Sequence, residues 1–189
     1  MRSLITSVRL FLILTVLTGV LYPLIMAGIA QSFFKNQATG SMISFHGKVI
    51  GSQLIGQNMT DNRYFWPRPS AIGYNPMRSG ASHLSLSGKQ FQAIVDARVI
   101  AFAPANGVKP HDVPPEMYNA SASGLDPDIS PEAAFEQVER IAKARGWGSA
   151  EIEKARSTIV QWTQKPLWGF LGPRRMNVLS LNKALLTLP

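Results

Sequence analysis

The sequence predicts an α+β protein: one N-terminal transmembrane helix followed by a single small extracytoplasmic domain with a short sheet and about three helices. Three observations lead to this fold class. Residues 10–34 carry no charge, residues 41–57 alternate short apolar stretches with glycines, and three later stretches repeat apolar residues at helical spacing. Because the chain has 189 residues and no evident repeat, we expect a membrane anchor at 1–35 and one domain at 36–189.

The N-terminal apolar run is long enough to cross a membrane. It reads LFLILTVLTGVLYPLIMAGIAQSFF from Leu10 to Phe34, and at ~1.5 Å per residue it covers about 37 Å, against a hydrocarbon core of ~30 Å. The competing interpretation is a cleaved signal peptide, because Gly28 and Ala30 resemble the small residues that precede a cleavage site. The run continues well beyond the ~15 residues of a signal peptide's apolar region, which favours a retained anchor.

The charges around the span predict its orientation. Arg2 and Arg9 precede it, and only Lys35 follows before Lys48. The positive-inside rule therefore places the amino terminus in the cytoplasm and the domain outside, since long domains cross largely regardless of charge.

One side of the span suits a partner helix. Small and hydroxyl residues allow close approach in lipid, and Pro23 removes the hydrogen bond to the carbonyl of Gly19. The same residue types are also simply common in membrane helices, so both interpretations stay open. The residues on this side are Thr15, Thr18, Gly19, Tyr22 and Met26.

The first part of the domain is predicted to be strands followed by an extended segment. The stretch SMISFHGKVIGSQLIGQ has the glycine-broken apolar pattern of a hairpin. In RYFWPRPSA, Pro67 and Pro69 exclude a helix and bring aromatic and arginine side chains together. These side chains could bind an anion or a partner loop, or the aromatic rings could simply pack beneath an irregular segment. The residues concerned are Arg63, Tyr64, Phe65, Trp66 and Arg68.

The second part of the domain is predicted to be mainly helical. We expect a helix from Gln90 to Phe102 that ends at Pro104, then an ordered proline-rich loop. A second helix should begin with Ser130 as N-cap, Pro131 at its first position and Glu132 in its first turn, and end at Gly146. A third, capped by Ser149 and running to about Thr163, would complete a helical hairpin. The stretch MNVLSLNKALLTL begins like a strand and turns helical, with its type left open. The predicted inward positions are Phe91, Ile94, Val95, Val99 and Phe102, then Ala134, Val138, Ile141 and Ala142, then Ile152, Ala155, Ile159 and Trp162.

Composition and motifs argue against several classes of function. The net charge of +8 suggests nucleic acid, but the nineteen basic residues are scattered and the longest basic run is Arg174-Arg175. The chain has no cysteine and no glycine-rich phosphate loop. Ser123-Gly124 lacks the frame of a hydrolase elbow, Asp126 and Asp128 lack the further ligands of a calcium loop, and the three histidines lie too far apart for zinc. The residues alone thus indicate an anchored, non-enzymatic domain.

Four segments resemble one protein family. In order they are GSQLIGQ (51–57), YFWPRPSA (64–71), SASGLDPDISPEAA (121–134) and NVLSLNKAL (177–185). Behind an N-terminal span they resemble the C subunit of the bacterial high-affinity potassium-transporting P-type ATPase, the Kdp complex. The chain departs from the family pattern where Asp128 replaces a usual histidine, where Met176 replaces a frequent valine, and at SGASHL (79–84), where the family has SGGSNL.

The resemblance implies a non-catalytic accessory subunit in the bacterial inner membrane. Its partners would be a channel-like subunit that selects potassium and a P-type subunit that hydrolyses ATP. The family subunit is described as a catalytic chaperone that raises the ATPase subunit's affinity for ATP, so ATP would be bound only through that partner, with no cofactor or metal held by this chain. The orientation argument instead places the domain over the outer face of the potassium-selecting subunit, away from cytoplasmic ATP.

Two further points concern this resemblance: it has one competing interpretation, and it supplies candidate partner-contact residues. A stand-alone membrane-anchored envelope binding protein would share the anchor and the fold. The candidate residues are Arg68, Pro69, Ser70, Ser123, Gly124, Leu125, Asp126, Pro127, Asn177 and Asn182.

Overall fold

The computed structural model describes residues 1–187 and divides them into two compact units, Met1–Met42 and the part that begins at Ile43. The architecture is α+β, as the sequence predicts. In the first unit, α1 (Arg2–Val16), a π-helical turn (Leu17–Leu21) and α2 (Tyr22–Phe33) form one apolar helix, which α3 (Lys35–Ala38) follows.

The apolar helix Arg2–Phe33 has 32 residues and a mean hydropathy of 2.3 over its most apolar window, so it is long and apolar enough to cross a membrane. Its π-helical turn ends two residues before Pro23. There the Tyr22 N–H donates to the carbonyl of Leu17 instead of continuing the ordinary helical register. A proline ring crowds the carbonyl four residues before it, and the wider turn relieves that crowding. The predicted perturbation at Pro23 thus takes the form of a π-bulge.

Two small two-stranded sheets lie beyond the span. Strands β1 (Met42–Phe45) and β2 (Lys48–Ser52) form the predicted hairpin. Strands β3 (Asp128–Ile129) and β4 (Met176–Asn177) pair antiparallel, with Asp128 opposite Asn177 and Ile129 opposite Met176. The second sheet joins two distant parts of the chain.

Helix α4 (Lys89–Asn106) is longer than predicted, and Pro104 lies inside it. The prediction that Pro104 ends the helix was wrong. The Asn106 side chain donates to the carbonyl of Phe102 at 2.9 Å and supports the last turn, and the helix ends at Gly107. A 3₁₀ turn (Pro110–Asp112) and the short α5 (Pro115–Tyr118) follow.

Helices α6 (Pro131–Arg145) and α7 (Ser149–Trp162) form the predicted helical hairpin. Ser130 is confirmed as the N-cap of α6, since its hydroxyl accepts from the Ala133 N–H at 3.1 Å. The N-cap of α7 is Gly148 and not Ser149, because the Glu151 carboxylate accepts from the Gly148 N–H at 3.0 Å. Ala155 and Ile159 are buried as predicted, whereas Trp162 is exposed.

The core of the domain lies around α6, which packs against α4 and α7. Helix α8 (Val178–Leu185) follows β4 directly and packs against α7. The buried side chains shared by these elements include Phe65, Phe102, Ile129, Val138, Ile141, Ile159, Met176, Leu181 and Leu185. By contrast, most of the predicted apolar face of α4 is only partly buried.

Candidate functional site

The extended segment that contains Phe65 and Trp66 passes through the middle of the domain and is held there by side-chain amides. Asn182 of α8 accepts from the Phe65 N–H at 2.7 Å and donates to the Phe65 carbonyl at 3.0 Å. Asn182 and Phe65 are both buried. A backbone that lacks strand neighbours must find other partners when it is buried, and this one amide satisfies both of its groups.

The Gln137 side chain of α6 makes the same two hydrogen bonds with the next residue of the segment, Trp66. Its carbonyl oxygen accepts from the Trp66 N–H at 2.6 Å, and its amide nitrogen donates to the Trp66 carbonyl at 3.2 Å. In an extended chain successive residues direct their backbone groups to opposite sides. Asn182 of α8 and Gln137 of α6 therefore hold the segment from opposite sides. We call the Asn182–Phe65 and Gln137–Trp66 pairs the amide clamp.

Arg140 completes this polar interior. Its guanidinium donates to the carbonyls of Asn62 and Tyr64 at 2.7 and 3.0 Å and to the side chain of Asn106 at 2.9 Å. Its Cζ lies 3.8 Å from the centroid of the Trp66 ring. Burial lowers the pKa of Arg140 to about 10, so the side chain is still a cation at neutral pH, and hydrogen bonds and an aromatic face surround it.

Arg68 and Asp126 link two of the signature segments. The Arg68 Nη1 atom lies 2.7 Å from Asp126 Oδ2, and each side chain is between a quarter and a third exposed. In the described part of the chain, the buried Nε of Arg68 has no hydrogen-bond partner. Asp126 also accepts from the Asp128 N–H at 3.0 Å, which fixes the turn ahead of α6.

The remaining residues of the two segments form the loop around this ion pair. Ser70 accepts from the N–H groups of Ile72 and Tyr74, and the Pro69 carbonyl accepts from Ser121. The Ser123 hydroxyl accepts from the Leu125 N–H, and the carbonyls of Leu125 and Pro127 accept from Gly56 and Val178. Gly124 has φ +69, where a Cβ would lie 2.5 Å from Ile72 Cγ1. This loop therefore needs glycine at 124.

Asn177 brings the first and last signature segments together. It caps α8 by accepting from the Ser180 N–H at 3.0 Å, and it donates to the Gln53 carbonyl at 2.7 Å. Beside it, Asp128 lies 3.4 Å from Arg175. Burial raises the pKa of the Asp128 carboxyl, with Arg175 acting in the opposite direction. These residues line a cleft of about 370 Å³.

The structure thus brings all four signature segments into one hydrogen-bonded framework. Phe65 and Trp66 pack inside the domain. This agrees with the interpretation in which the aromatic rings of RYFWPRPSA pack beneath an irregular segment. At the exposed edge, Arg63 pairs with Asp61 and lowers the pKa of that carboxyl to about 2. Among the described residues there is no group of three His, Cys, Asp or Glu side chains that could hold a metal ion.

Gln137, Arg140 and Asn106 were missed by the sequence reasoning. Gln137 and Arg140 follow Ala133 at i+4 and i+7, on the buried stripe of α6. Polar residues at core positions of an otherwise apolar stripe predict a buried hydrogen-bond network, because such groups are rarely buried without partners. That signal was present in the sequence.

The fold and the site define a single-pass membrane protein whose small α+β domain is built on an internal amide clamp. The comparisons with known proteins identify the family. The K⁺-transporting ATPase c chain family, KdpC, matches residues 4–187. The chain therefore belongs to the KdpC family, and it is a subunit of a potassium-transporting ATPase complex whose partners are the other Kdp subunits.

The relatives match over nearly the whole chain. The potassium-transporting ATPase KdpC subunit of Polynucleobacter asymbioticus is 45% identical over 189 residues, with 98% of each chain covered. The KdpC subunit of Cronobacter sakazakii is 46% identical, covering 98% of this chain and 97% of its own. That of Geobacter sulfurreducens is 43% identical, covering 100% and 99%.

Proposed function

We propose that this chain is a non-catalytic accessory subunit of an ATP-driven potassium uptake complex. It assembles with the channel-like, potassium-selecting subunit and the ATP-hydrolysing subunit and stabilises them. One observation carries the proposal: the polar side chains of the signature segments hold this chain's own backbone. The Asn182 and Asn177 side chains of these segments bond main-chain groups, as the neighbouring Gln137 of α6 does, and Arg68 bonds the Asp126 carboxylate. Side chains that hold the backbone in this way stabilise the shape of a binding surface. We assign catalysis to the partner subunits.

The proposal includes an effect on ATP binding. This subunit raises the ATPase subunit's affinity for ATP through subunit contacts alone, from outside the membrane and without holding a cofactor or metal of its own, so nucleotide is bound only by the partner. The edge formed by Arg68 and Asp126 and the cleft beside Asp128 are the proposed partner contacts. They combine half-buried charges with a fixed loop, which gives orientation and specificity to a protein interface.

A test separates an assembly role from a catalytic one. The complex is purified through a tag on the ATPase subunit, with Asp126→Asn in this chain. Asp96→Asn, an exposed carboxylate on α4, is the matched control. We expect Asp126→Asn to weaken retention of this subunit and to raise the KM for ATP, with kcat per assembled complex unchanged. A lower kcat in a fully assembled complex would assign Asp126 a part in the chemistry.

The same pull-down tests the competing class of protein. A stand-alone envelope binding protein would not be recovered with the tagged ATPase subunit, and its deletion would leave growth at micromolar potassium intact. We expect the opposite in both assays. Loss of growth on deletion, together with recovery of this chain with the tagged ATPase subunit, supports the role as a complex subunit.

We further propose that the amino terminus is cytoplasmic and the domain lies outside the inner membrane. Arg2 and Arg9 on the amino-terminal side of the span support this orientation. Because the chain has no cysteine, a single Ser149→Cys label reports on one exposed site of the domain, and Ser3→Cys reports on the other side. An impermeant maleimide should label position 149 in intact cells and position 3 only after lysis. The reverse pattern would overturn the orientation.

A further inference from the structure

The segment between α7 and β4 forms a short hairpin with an exposed apolar tip. Gln164 and Arg175 exchange backbone hydrogen bonds of 2.8 and 3.3 Å, and Leu167 and Leu171 exchange two of 2.9 Å. We call residues 164–175 the aromatic hairpin. Its tip exposes 78% of Trp168 and 76% of Phe170, and more than half of both leucines.

The tip is held in its shape by the backbone. Trp168 has φ +54, a left-handed conformation that a bulky residue seldom adopts. The Gly169 N–H donates to the Pro166 carbonyl at 3.0 Å, which closes the turn. The Trp168 and Phe170 rings lie 6.4 Å apart with an interplanar angle of 35°. The closed backbone turn thus presents two large rings side by side, so the backbone of the tip need not be ordered on binding.

The charged residues that neighbour the tip in the sequence are all basic. Lys165, Arg174 and Arg175 flank it, and no Asp or Glu occurs anywhere in residues 154–189, which contain six Lys and Arg. The first 153 residues contain thirteen basic and eleven acidic residues. Most of the chain's net charge of +8 therefore lies in the last 36 residues, where the tip of the aromatic hairpin groups four exposed apolar side chains, Leu167, Trp168, Phe170 and Leu171.

We propose that the aromatic hairpin inserts its tip into the headgroup region of an anionic lipid bilayer. Trp and Phe at the tip would lie at the boundary between acyl chains and headgroups, and Lys165 and Arg174 would contact lipid phosphates. The span in the same chain keeps the domain at a membrane, so a lipid surface is available at high effective concentration. The inference holds for either orientation of the span.

The cations favour lipid over a protein groove as the occupant. Aromatic residues are enriched in both settings, but lysine is depleted in the cores of protein interfaces. Basic residues beside interfacial aromatics are what an anionic membrane surface attracts. Arg175 is partly engaged by Asp128 at 3.4 Å, which leaves Lys165 and Arg174 as the exposed cations nearest the tip.

A depth measurement on the full chain tests the proposal. Leu171→Cys keeps both aromatic rings and accepts one fluorophore, since the chain has no other cysteine. Ile100→Cys, an apolar residue of α4 that is 71% exposed, is the matched control. The labelled proteins are placed in nanodiscs of phosphatidylcholine with phosphatidylglycerol, and nitroxide lipids and aqueous iodide serve as quenchers. We expect lipid nitroxides to quench at 171 and not at 100, and iodide to quench at 100 only.

Two further variants attribute the signal to the tip. Trp168→Ser with Phe170→Ser should abolish lipid quenching at 171, and Arg174→Gln should reduce it in discs that contain phosphatidylglycerol. Far-UV circular dichroism confirms that the domain stays folded. Iodide quenching at 171 equal to that at 100 would overturn the proposal. So would protection from iodide that appears only in the assembled complex and without quenching by lipid nitroxides, because the tip would then contact a protein subunit.

Discussion

Replacing Asn182 by leucine should cost a large part of the domain's stability. The two side chains are similar in size, but leucine leaves the N–H and carbonyl of Phe65 without the 2.7 and 3.0 Å hydrogen bonds that Asn182 provides. Each buried group without a partner costs about 1–3 kcal/mol, so for the two groups we expect a loss of about 2–6 kcal/mol. Small domains have a total stability of about 5–15 kcal/mol.

The assay is urea unfolding of the full chain in detergent. All four tryptophans lie beyond the span, so their fluorescence reports on the domain, and linear extrapolation gives the free energy of unfolding. Asn58→Leu makes the same change at an exposed position and should shift the free energy by less than about 0.5 kcal/mol. If the two variants unfold with the same free energy, the amide clamp does not stabilise the fold.

An isosteric variant identifies the mechanism. Asp at position 182 can still accept from the Phe65 N–H, but as a carboxylate it faces the Phe65 carbonyl with a second negative oxygen. Burial and this repulsion would raise the pKa of the new carboxyl, so the folded state would bind a proton that the unfolded state releases. The stability of Asn182→Asp should therefore be low at pH 7 and rise relative to wild type as the pH falls. A difference that does not change with pH would refute the contact with the carbonyl.

The other predictions concern the loop around the Arg68–Asp126 ion pair. Gly124→Ala should destabilise the domain by about 1–3 kcal/mol more than Gly146→Ala. Both glycines have φ +69, but only at 124 would a Cβ meet neighbouring atoms; equal urea midpoints would contradict this. A double-mutant cycle of Arg68→Met and Asp126→Asn should give a coupling free energy of about 1 kcal/mol, and a value of zero would mean that the 2.7 Å contact contributes nothing. Asp128→Asn should raise Tm at pH 7. Because burial raises the pKa of this carboxyl in the folded state, stability is lost as the pH rises from the ordinary value of 3.8 through the folded pKa, and the cost is largest above the folded pKa. The gain should vanish below pH 3.8, and a gain that persists there would exclude the carboxylate charge as its cause.

Local patterns predicted the elements of the fold better than their ends. Ser130, Pro131 and Gly146 act through adjacent backbone, and the limits of α6 are as predicted. The prediction at Pro104 was wrong because the effect of a proline on a helix depends on whether other contacts stabilise the turn around it. Here the Asn106 side chain, two residues later, stabilises that turn. Trp162 lies on the helical stripe of α7 but at its last position, just before the aromatic hairpin, and 44% of it is exposed.

The framework of the site depends on contacts that local pattern does not encode. Asn182 and Phe65 are 117 positions apart, and Gln137 and Trp66 are 71 apart. Sequence reasoning could mark Asn182 only through the family resemblance, and it could have marked Gln137 through its place on the stripe of α6. Which backbone groups the two amides would meet follows from the path of the extended segment, and that path is set by the packing of three helices.

The distribution of charge bears on how a strongly basic subunit can serve a potassium uptake complex. A uniformly cationic domain near a cation path would lower the local concentration of potassium. In this chain the first 153 residues are nearly balanced in charge, and the excess lies in the last 36. The aromatic hairpin holds three of the six cations in this part of the chain, Lys165, Arg174 and Arg175. If it binds anionic lipid, that half of the excess lies on the membrane and away from the surfaces that contact partner subunits. Neutralising Lys165 and Arg174 together should then weaken lipid quenching at position 171 and leave potassium transport by the assembled complex unchanged. A change in transport without any change in quenching would instead place these cations near the ion path.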